Sequence, residues 1–509
     1  MNAPAALDDL LRRGLTRAPQ DPALFFADGA WSWNDLEAFS TKLARGYLAM
    51  GLQPGDRLAS LLPNRWTLIV HYLACFKAGL VATPLNYRYT PREIDHALEV
   101  SGARAMVAHG SREQDITASR ARHLELGVVW DEGGSGGRPL EELIHGSPET
   151  HEPTGGKPDD PAVIFFTSGS TGPAKGVTHT RESFGWMVTQ AAEAHGISET
   201  DTLLPASSYS HIAGTVFCLA GFFKSARVAI VERFDHAGVG PMLRRARPTF
   251  LLTLPSTLLH LLREKETEPE EFRTVRHTLC GGDKVSPQLA REFEALAGRP
   301  ICECYGMTEI GFAMFNDGSR KDKISSIGRA NPGFAFSVRD ENGIGCRDGE
   351  EGRVWTQTRS LLRGYWGDEA ATREVFRDGW FDTGDVMAKD GDGYFWFRGR
   401  RKQIIVHDGS NIAPQEVEAA LLEHPAVANA GVIGVRDDLH GENVRAYVEL
   451  KKESPAPSAG ELIAFARERV GYKAPEEIVF LEEMPINAVG KVDRPELKRR
   501  AAGDHAHCI

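Results

Sequence analysis

The sequence predicts an α/β protein: a large N-terminal domain of parallel-rich sheets covered by helices, a small barrel-like β region, and a small α+β domain at the C-terminus. Three observations predict it. Apolar runs of strand length alternate with helical patterns through most of the first 300 residues, the signature of parallel strands joined by crossover helices. Short alternating segments with turn signals take over after about Pro300. From Gln403 on, three strand-like runs and two helical patterns form a compact α+β unit.

In chain order, "RLASLLP" reads as a strand, "RWTLIVHYLACFKAGL" as a helix and "VATPLN" as the next strand. "RAMVAH", "LGVVW" and "PAVIFFT" continue the strand series, and "ESFGWMVTQAAEAHG" is helical. "RVAIVE", "PTFLLTLP" and "TVRHTLCGG" complete it. "FAFSVRDENG", "GRVWTQT" and "GYFWFRG" then alternate as antiparallel strands do, with "DGDG" at Asp390–Gly393 as a hairpin turn. In the last unit "QIIVHDG" is a strand and turn, "APQEVEAALLEHP" a helix with Pro414 in its first turn, "VANAGVIGV" and "VRAYVEL" strands, and "AGELIAFARERV" a second helix. The basic, polar "RGRRKQ" between the units reads as a linker. The boundaries expected are 1–398, a hinge at 399–402, and 403–509.

Composition excludes several classes. Of 509 residues, 25% are charged and 41% hydrophobic, ordinary for a globular protein. The net charge of −11 disfavours nucleic acid or an anionic membrane as partner. No apolar run is long enough to span a bilayer, since His71 and Lys77 break one candidate and Pro255 the other. The first twenty residues read as a short amphipathic helix rather than a signal peptide, so a cytoplasmic enzyme is expected. Seven cysteines, Cys302 and Cys304 among them, match no zinc or redox spacing and read as reduced core thiols. The tail "DHAHCI" offers His505, His507 and Cys508 to a metal, but reads as a disordered end.

The chemistry begins at "FFTSGSTGPAKGV", where the strand "PAVIFFT" runs into Ser168-Gly169-Ser170-Thr171-Gly172 and then Lys175. Glycines let successive N–H groups turn toward one point, which suits phosphate oxygens. The hydroxyls of Thr167, Ser168, Ser170 and Thr171 and the Lys175 ammonium add donors and charge. It is not a Walker A loop, because Ala174 rather than glycine precedes Lys175. "TSGSTGPAKGV" resembles the phosphate loop of the AMP-forming adenylating superfamily, which includes acyl-CoA synthetases, adenylation domains of nonribosomal peptide synthetases and beetle luciferases. "CYGMTEIG", "GEEGRVW", "LLRGYW", "DGWFDTGD", "FRGRRKQIIVHDGSNIAPQEVE" and "NAVGKVDR" follow in that family's order, so the resemblance spans nearly the whole chain.

The resemblance implies ATP, Mg²⁺ and coenzyme A as cofactors and co-substrates. It assigns Tyr305, with Gly306, to adenine, Thr308 to a phosphate or carboxylate contact, and Glu309 to the metal, with Thr171 a second candidate ligand. It places Gly281, Gly282 and Asp283 beside adenine and the acyl pocket. Asp385 takes the ribose hydroxyls, with Arg400 nearby. His211 of "PASSYSHIAG" takes the position beside the acyl carbonyl. Lys491 of "NAVGKVDR" is the catalytic lysine, and Lys402 the hinge about which the small domain swings between half-reactions. Amino-acid-activating relatives carry an aspartate near His211; none lies between Leu204 and Val216, against an α-amino acid substrate. The chain departs from the family's habit at Val406-His407-Asp408-Gly409 and Asn411, near the expected coenzyme A tunnel, and at Arg181, where a second histidine is common.

The expected function is a two-step carboxylic acid–CoA ligase acting on an aromatic or medium-chain aliphatic monocarboxylate, as a monomer or homodimer. The alternatives are a stand-alone adenylating enzyme that loads a carrier protein and a non-catalytic ATP-binding protein. Oxidation of the adenylate, as in luciferases, has no residue that selects it.

Overall fold

A computed structural model describes residues 3–146, 153–167, 174–263, 267–282, 285, 287–400, 403–407, 410–437, 441–452, 455–487 and 490–505. Two large sheets form the first 330 residues. One runs in the order Gly364–Tyr365, Lys175–Thr180, Pro161–Thr167, Val81–Pro84, Arg57–Leu61, Ala105–His109, Val128–Asp131, Arg138–Pro139. Its strands are parallel from Pro161–Thr167 to the far edge, and antiparallel where Lys175–Thr180 folds back on Pro161–Thr167. The other sheet is parallel from Ile301–Met307 through His277–Gly281, Phe250–Thr253, Thr202–Ala206 and Arg227–Ala229 to Pro22–Phe26, with antiparallel strands at both edges.

Helices Trp33–Ala49, Trp66–Ala78, Arg181–Ala194 and Ile212–Phe223 share one core with both sheets. Trp66–Ala78 is buried on nearly every side, which explains an apolar run that shows no polar face. The two polar residues within that run are paired. His71 Nδ1 lies 2.9 Å from the Tyr47 hydroxyl, and Lys77 Nζ lies 2.5 Å from Glu37 Oε1. The helix stops at Gly79, whose φ of +68° suits glycine. Ser32 with Asp35 and Thr180 with Ser183 cap the N-termini of Trp33–Ala49 and Arg181–Ala194. The N-terminal segment forms a 3₁₀ turn, Leu7–Asp9, and a helix of one to two turns, Arg12–Arg17, shorter than the sequence pattern suggests. Arg181 accounts for part of its placement: its Nη1 donates to Phe76 O at 2.9 Å and its Nη2 lies 3.1 Å from Asp8.

Strands Phe334–Arg339, Glu351–Thr358, Trp380–Lys389, Phe376–Arg377 and Phe395–Arg400 form the small antiparallel sheet, with the expected hairpin at Asp390–Gly393. Residues from Ile405 onward have hydrophobic clusters of their own, built around Val417, Val432, Val444 and Leu462 and around Ile433, Tyr447 and Leu497. Their sheet adds a strand, Glu477–Leu481, parallel to Gly441–Leu450, and a final helix, Arg494–His505, which the sequence pattern did not predict. The six described cysteines are free thiols, five of them buried. No described helix is long and apolar enough to cross a membrane. Residues His507 and Cys508 of the tail lie outside the described residues.

Candidate active site

The site gathers at the C-terminal ends of the parallel strands of the second sheet, where ligands of open α/β sheets bind. Strand Ile301–Met307 delivers Tyr305 and Gly306, and Thr308 and Glu309 follow it, both buried. Gly306 has a packing reason: a Cβ there would lie 2.2 Å from the carbonyl oxygen of Gly311 on the paired strand. Gly281 is similar, since its Cβ would lie 2.4 Å from Cys304 O, so neighbouring backbone demands glycine before any ligand does. Gly282, with a φ of +83°, turns the chain out of the strand.

Asp385 is 1% exposed on strand Trp380–Lys389. The Tyr305 hydroxyl donates to its Oδ2 at 2.5 Å and Arg400 Nε to its Oδ1 at 3.1 Å. Burial pushes the Asp385 carboxyl upward, and the charge of Arg400, the Tyr305 hydroxyl and the Lys491 ammonium pull it back. One donor on each oxygen leaves each with a second lone pair for another hydroxyl. Tyr305 is held at its tip by this bond, and burial, then Asp385, pushes its phenol up.

The Thr308–Glu309 pair is fixed at three points, two of them on Glu309. His179 Nε2 donates to Thr308 O at 2.8 Å, Leu362 N donates to Glu309 O at 2.8 Å, and the Tyr365 hydroxyl donates to Glu309 Oε1 at 3.2 Å. Burial brings the His179 imidazole down to about 4, which leaves it neutral with its proton on Nε2. Burial also pushes the Glu309 carboxyl upward, with Arg400 among the groups opposing it. Lys175 enters from strand Lys175–Thr180, with Nζ 4.8 Å from the centre of the Tyr365 ring.

His211 precedes helix Ile212–Phe223 in an extended conformation, its N–H donating to Ser208 O at 3.1 Å. Its side chain does not cap the helix, and the residue as a whole is half-buried. Burial first, and then the nearby Lys491 ammonium, brings this imidazole down to about 4. Lys491 therefore acts electrostatically on His211 and Asp385 alike, although it belongs to the C-terminal unit. It sits on a tight turn: Asn487 N donates to Lys491 O at 2.7 Å, Lys491 N donates to Asn487 Oδ1 at 3.0 Å, and Gly490 takes a φ of +83°.

Of the residues singled out in the sequence, the structure thus brings together Asp385, Tyr305 and Arg400, with Thr308 linked to His179 and Glu309 and Lys175 linked through Tyr365, while the charge of Lys491 bears on both His211 and Asp385. Thr167 pairs with Lys175 at the mouth of the loop. Ser168, Gly169, Ser170, Thr171, Gly172, Asp283 and Lys402, the expected hinge, lie outside the described residues. His407, one of the departures, is committed to its own unit, with Nδ1 2.7 Å from Glu442 O and Nε2 3.4 Å from Glu476. Sequence reasoning missed His179 and Tyr365. The signal for Tyr365 was its place in "LLRGYW", a motif quoted without a role for any of its residues.

Among the described residues no three His, Cys, Asp or Glu side chains gather as a metal cage. A single buried carboxylate beside a phosphate loop suits an ion whose remaining ligands are phosphate oxygens and water.

Residues 11–366 match the model of a family described as AMP-binding enzyme, and residues 416–491 match the model of the AMP-binding enzyme C-terminal domain. A feruloyl-CoA synthase from Amycolatopsis is 32% identical over 489 residues, covering 95% of this chain and 96% of that protein. A sulfoacetate–CoA ligase from Cupriavidus necator is 31% identical, covering 98% of this chain and all of that one. The ATP-bound crystal structure of MatB from Rhodopseudomonas palustris superposes with a TM-score of 0.89 at 27% identity, covering 98% and 99% of the two chains.

Proposed function

The chain belongs to the AMP-binding enzyme family as an AMP-forming acid–thiol ligase, and from that premise we propose that it joins a monocarboxylic acid to coenzyme A in two half-reactions at one site. In the first, a carboxylate oxygen attacks the α-phosphorus of ATP and pyrophosphate leaves, giving acyl-AMP. In the second, the coenzyme A thiolate attacks the acyl carbonyl, the thioester forms and AMP leaves. The acid is an aromatic or medium-chain aliphatic one; the pocket segments Ser207–Phe217 and Cys280–Lys284 carry no arginine to pair a second carboxylate.

The observation that carries this reading is the buried Asp385 carboxylate held by the Tyr305 hydroxyl at 2.5 Å and Arg400 Nε at 3.1 Å, to which Lys491 of the C-terminal unit adds positive charge. Two anions must meet in the first step. A flexible ammonium offsets their repulsion and stabilises charge growing on the phosphate. Asp385 and Arg400 hold the ribose, Tyr305 packs on adenine, and the 168–175 loop with Thr308 holds the phosphates. Glu309 would hold Mg²⁺, which supplies charge neutralisation on the phosphates when bound. His211, neutral at physiological pH, lines the acyl carbonyl without adding a second positive charge that would trap the carboxylate. The small body 403–509 then swings about Lys402 relative to 1–398, withdrawing Lys491 before the thiol enters. The separate hydrophobic clusters of the C-terminal unit support such a rigid-body movement.

The test is AMP release across a panel of carboxylic acids, with coenzyme A and with no carrier protein. Coenzyme A-dependent release with at least one acid is expected. Release that requires an added carrier protein favours the carrier-loading alternative, and absence of ATP–pyrophosphate exchange with every acid overturns the enzymatic reading.

A further inference from the structure

We propose that Tyr365 is a positioning residue of the adenylation half-reaction: its hydroxyl aims the Glu309 carboxylate at the metal of Mg·ATP, and its ring seats the Lys175 ammonium beside the same phosphates. The proposal rests on the reading of Glu309 as the metal ligand.

The geometry joins two distant parts of the site through one side chain. Tyr365 Oη lies 3.2 Å from Glu309 Oε1, and Lys175 Nζ lies 4.8 Å from the Tyr365 ring centre. Glu309 is 7% exposed, so water does not readily replace a lost donor and the direction of the carboxylate depends strongly on the hydrogen bond from Tyr365. The tyrosine itself is pinned on both sides. Its strand, Gly364–Tyr365, pairs antiparallel with Lys175–Thr180, Tyr365 opposite Val177. Trp366 N donates to Gly176 O at 2.7 Å and Arg363 N to Thr178 O at 2.8 Å. Tyr365 N donates to Thr372 Oγ1 at 2.9 Å. Leu362 N, three residues earlier, holds the Glu309 carbonyl. The strand that follows the phosphate loop and the segment that carries Glu309 are therefore clamped by the same short stretch. An ammonium over the face of an aromatic ring is attracted to it yet keeps its N–H donors for a phosphate. A phenylalanine would keep that seat and lose only the bond to Glu309.

The test reads binding, not turnover. Wild type, Tyr365→Phe, Tyr365→Leu and Glu309→Gln are titrated calorimetrically with α,β-methylene-ATP, in EDTA and over a series of MgCl₂ concentrations. In Tyr365→Phe the Mg²⁺ concentration at half-effect rises about tenfold, as befits a lost hydrogen bond to a charged group, and the affinity in EDTA is unchanged. In Tyr365→Leu the same shift appears and the affinity in EDTA also falls about three- to tenfold. A wild-type Mg²⁺ response in Tyr365→Phe overturns the hydroxyl's role. Wild-type affinity in EDTA for Tyr365→Leu overturns the ring's role. Equal weakening with and without Mg²⁺ in Tyr365→Phe overturns the proposal in favour of a merely structural tyrosine. Glu309→Gln separates the premise: if it leaves the Mg²⁺ response unchanged, the metal assignment of Glu309 fails, whereas a shift there without one in Tyr365→Phe sinks only the positioning role.

Discussion

Replacing Asp385 by asparagine keeps the shape of the side chain and removes its charge. The carboxylate accepts one bond per oxygen, from Tyr305 at 2.5 Å and from Arg400 at 3.1 Å, and keeps one acceptor site on each oxygen for the ribose. Hydrogen bonds to a charged group contribute about 1.5–3 kcal/mol each, so two ribose bonds amount to about 3–6 kcal/mol, or roughly 10²–10⁴ in the dissociation constant of ATP. The variant alone would not prove the point, because it also leaves the Arg400 guanidinium short of its partner. A cycle with the ligand does. Wild-type protein is expected to bind 2′-deoxy-ATP about 10–100-fold more weakly than ATP, having lost one of the two bonds. In Asp385→Asn that ratio should shrink toward one. Both nucleotides are measured on the same protein by calorimetry, so partial unfolding of the variant cancels from the ratio. An undiminished ratio in Asp385→Asn would refute the ribose assignment, whatever the variant does to the absolute affinity.

Two further outcomes follow from the packing. His71 and His195 are buried and held down to about 3, chiefly by desolvation; neither ring nitrogen of His195 finds a hydrogen bond, among the rings of Phe217, Phe312 and Phe315. Their folded values lie below the unfolded one of about 6.5, so the unfolded chain takes up protons first as pH falls. Their effect is absent above about pH 6.5, and below it they remove roughly 3 kcal/mol of stability per pH unit, down toward pH 3. Urea unfolding across pH 6.5 to 4.5 should therefore give a shallower slope for His195→Leu, by about 1.4 kcal/mol per pH unit; an unchanged slope contradicts the assignment. Gly306→Ala should destabilise the chain by about 1–3 kcal/mol in the same assay and weaken ATP binding, because the new methyl meets the Gly311 carbonyl; a wild-type unfolding curve would mean the strand pair yields freely.

Much of this was legible in the sequence because the signals are local. "PAVIFFT" and "RVAIVE" are strands by their run of branched and aromatic residues, and "DGDG" turns the hairpin where expected. Tyr305, Glu309 and Asp385 stand out because each sits in a short motif that resembles one of the family's, and the structure places all three in buried positions. What was not legible depends on pairing between distant segments. Nothing near Tyr365 says that its two-residue strand will lie beside Val177, since register between remote strands is set by the packed fold. The same reason hides His179, an ordinary strand residue until Thr308 is brought to its Nε2. Glu477–Leu481 escaped notice because an edge strand with two exposed positions shows a weak pattern. Arg494–His505 escaped because its composition is charged on almost every side, and helical patterning has no apolar stripe to report.

The central claim is that charge borne by the C-terminal unit brings ATP and the carboxylate together. ATP–pyrophosphate exchange by Lys491→Ala, with an acid that supports coenzyme A-dependent AMP release, tests it most directly. A fall of about 10²–10³ in exchange is expected, the scale of losing one pre-aimed charge stabiliser, while thioester formation from supplied acyl-AMP stays within a few-fold of wild type. Exchange at the wild-type rate would contradict that claim.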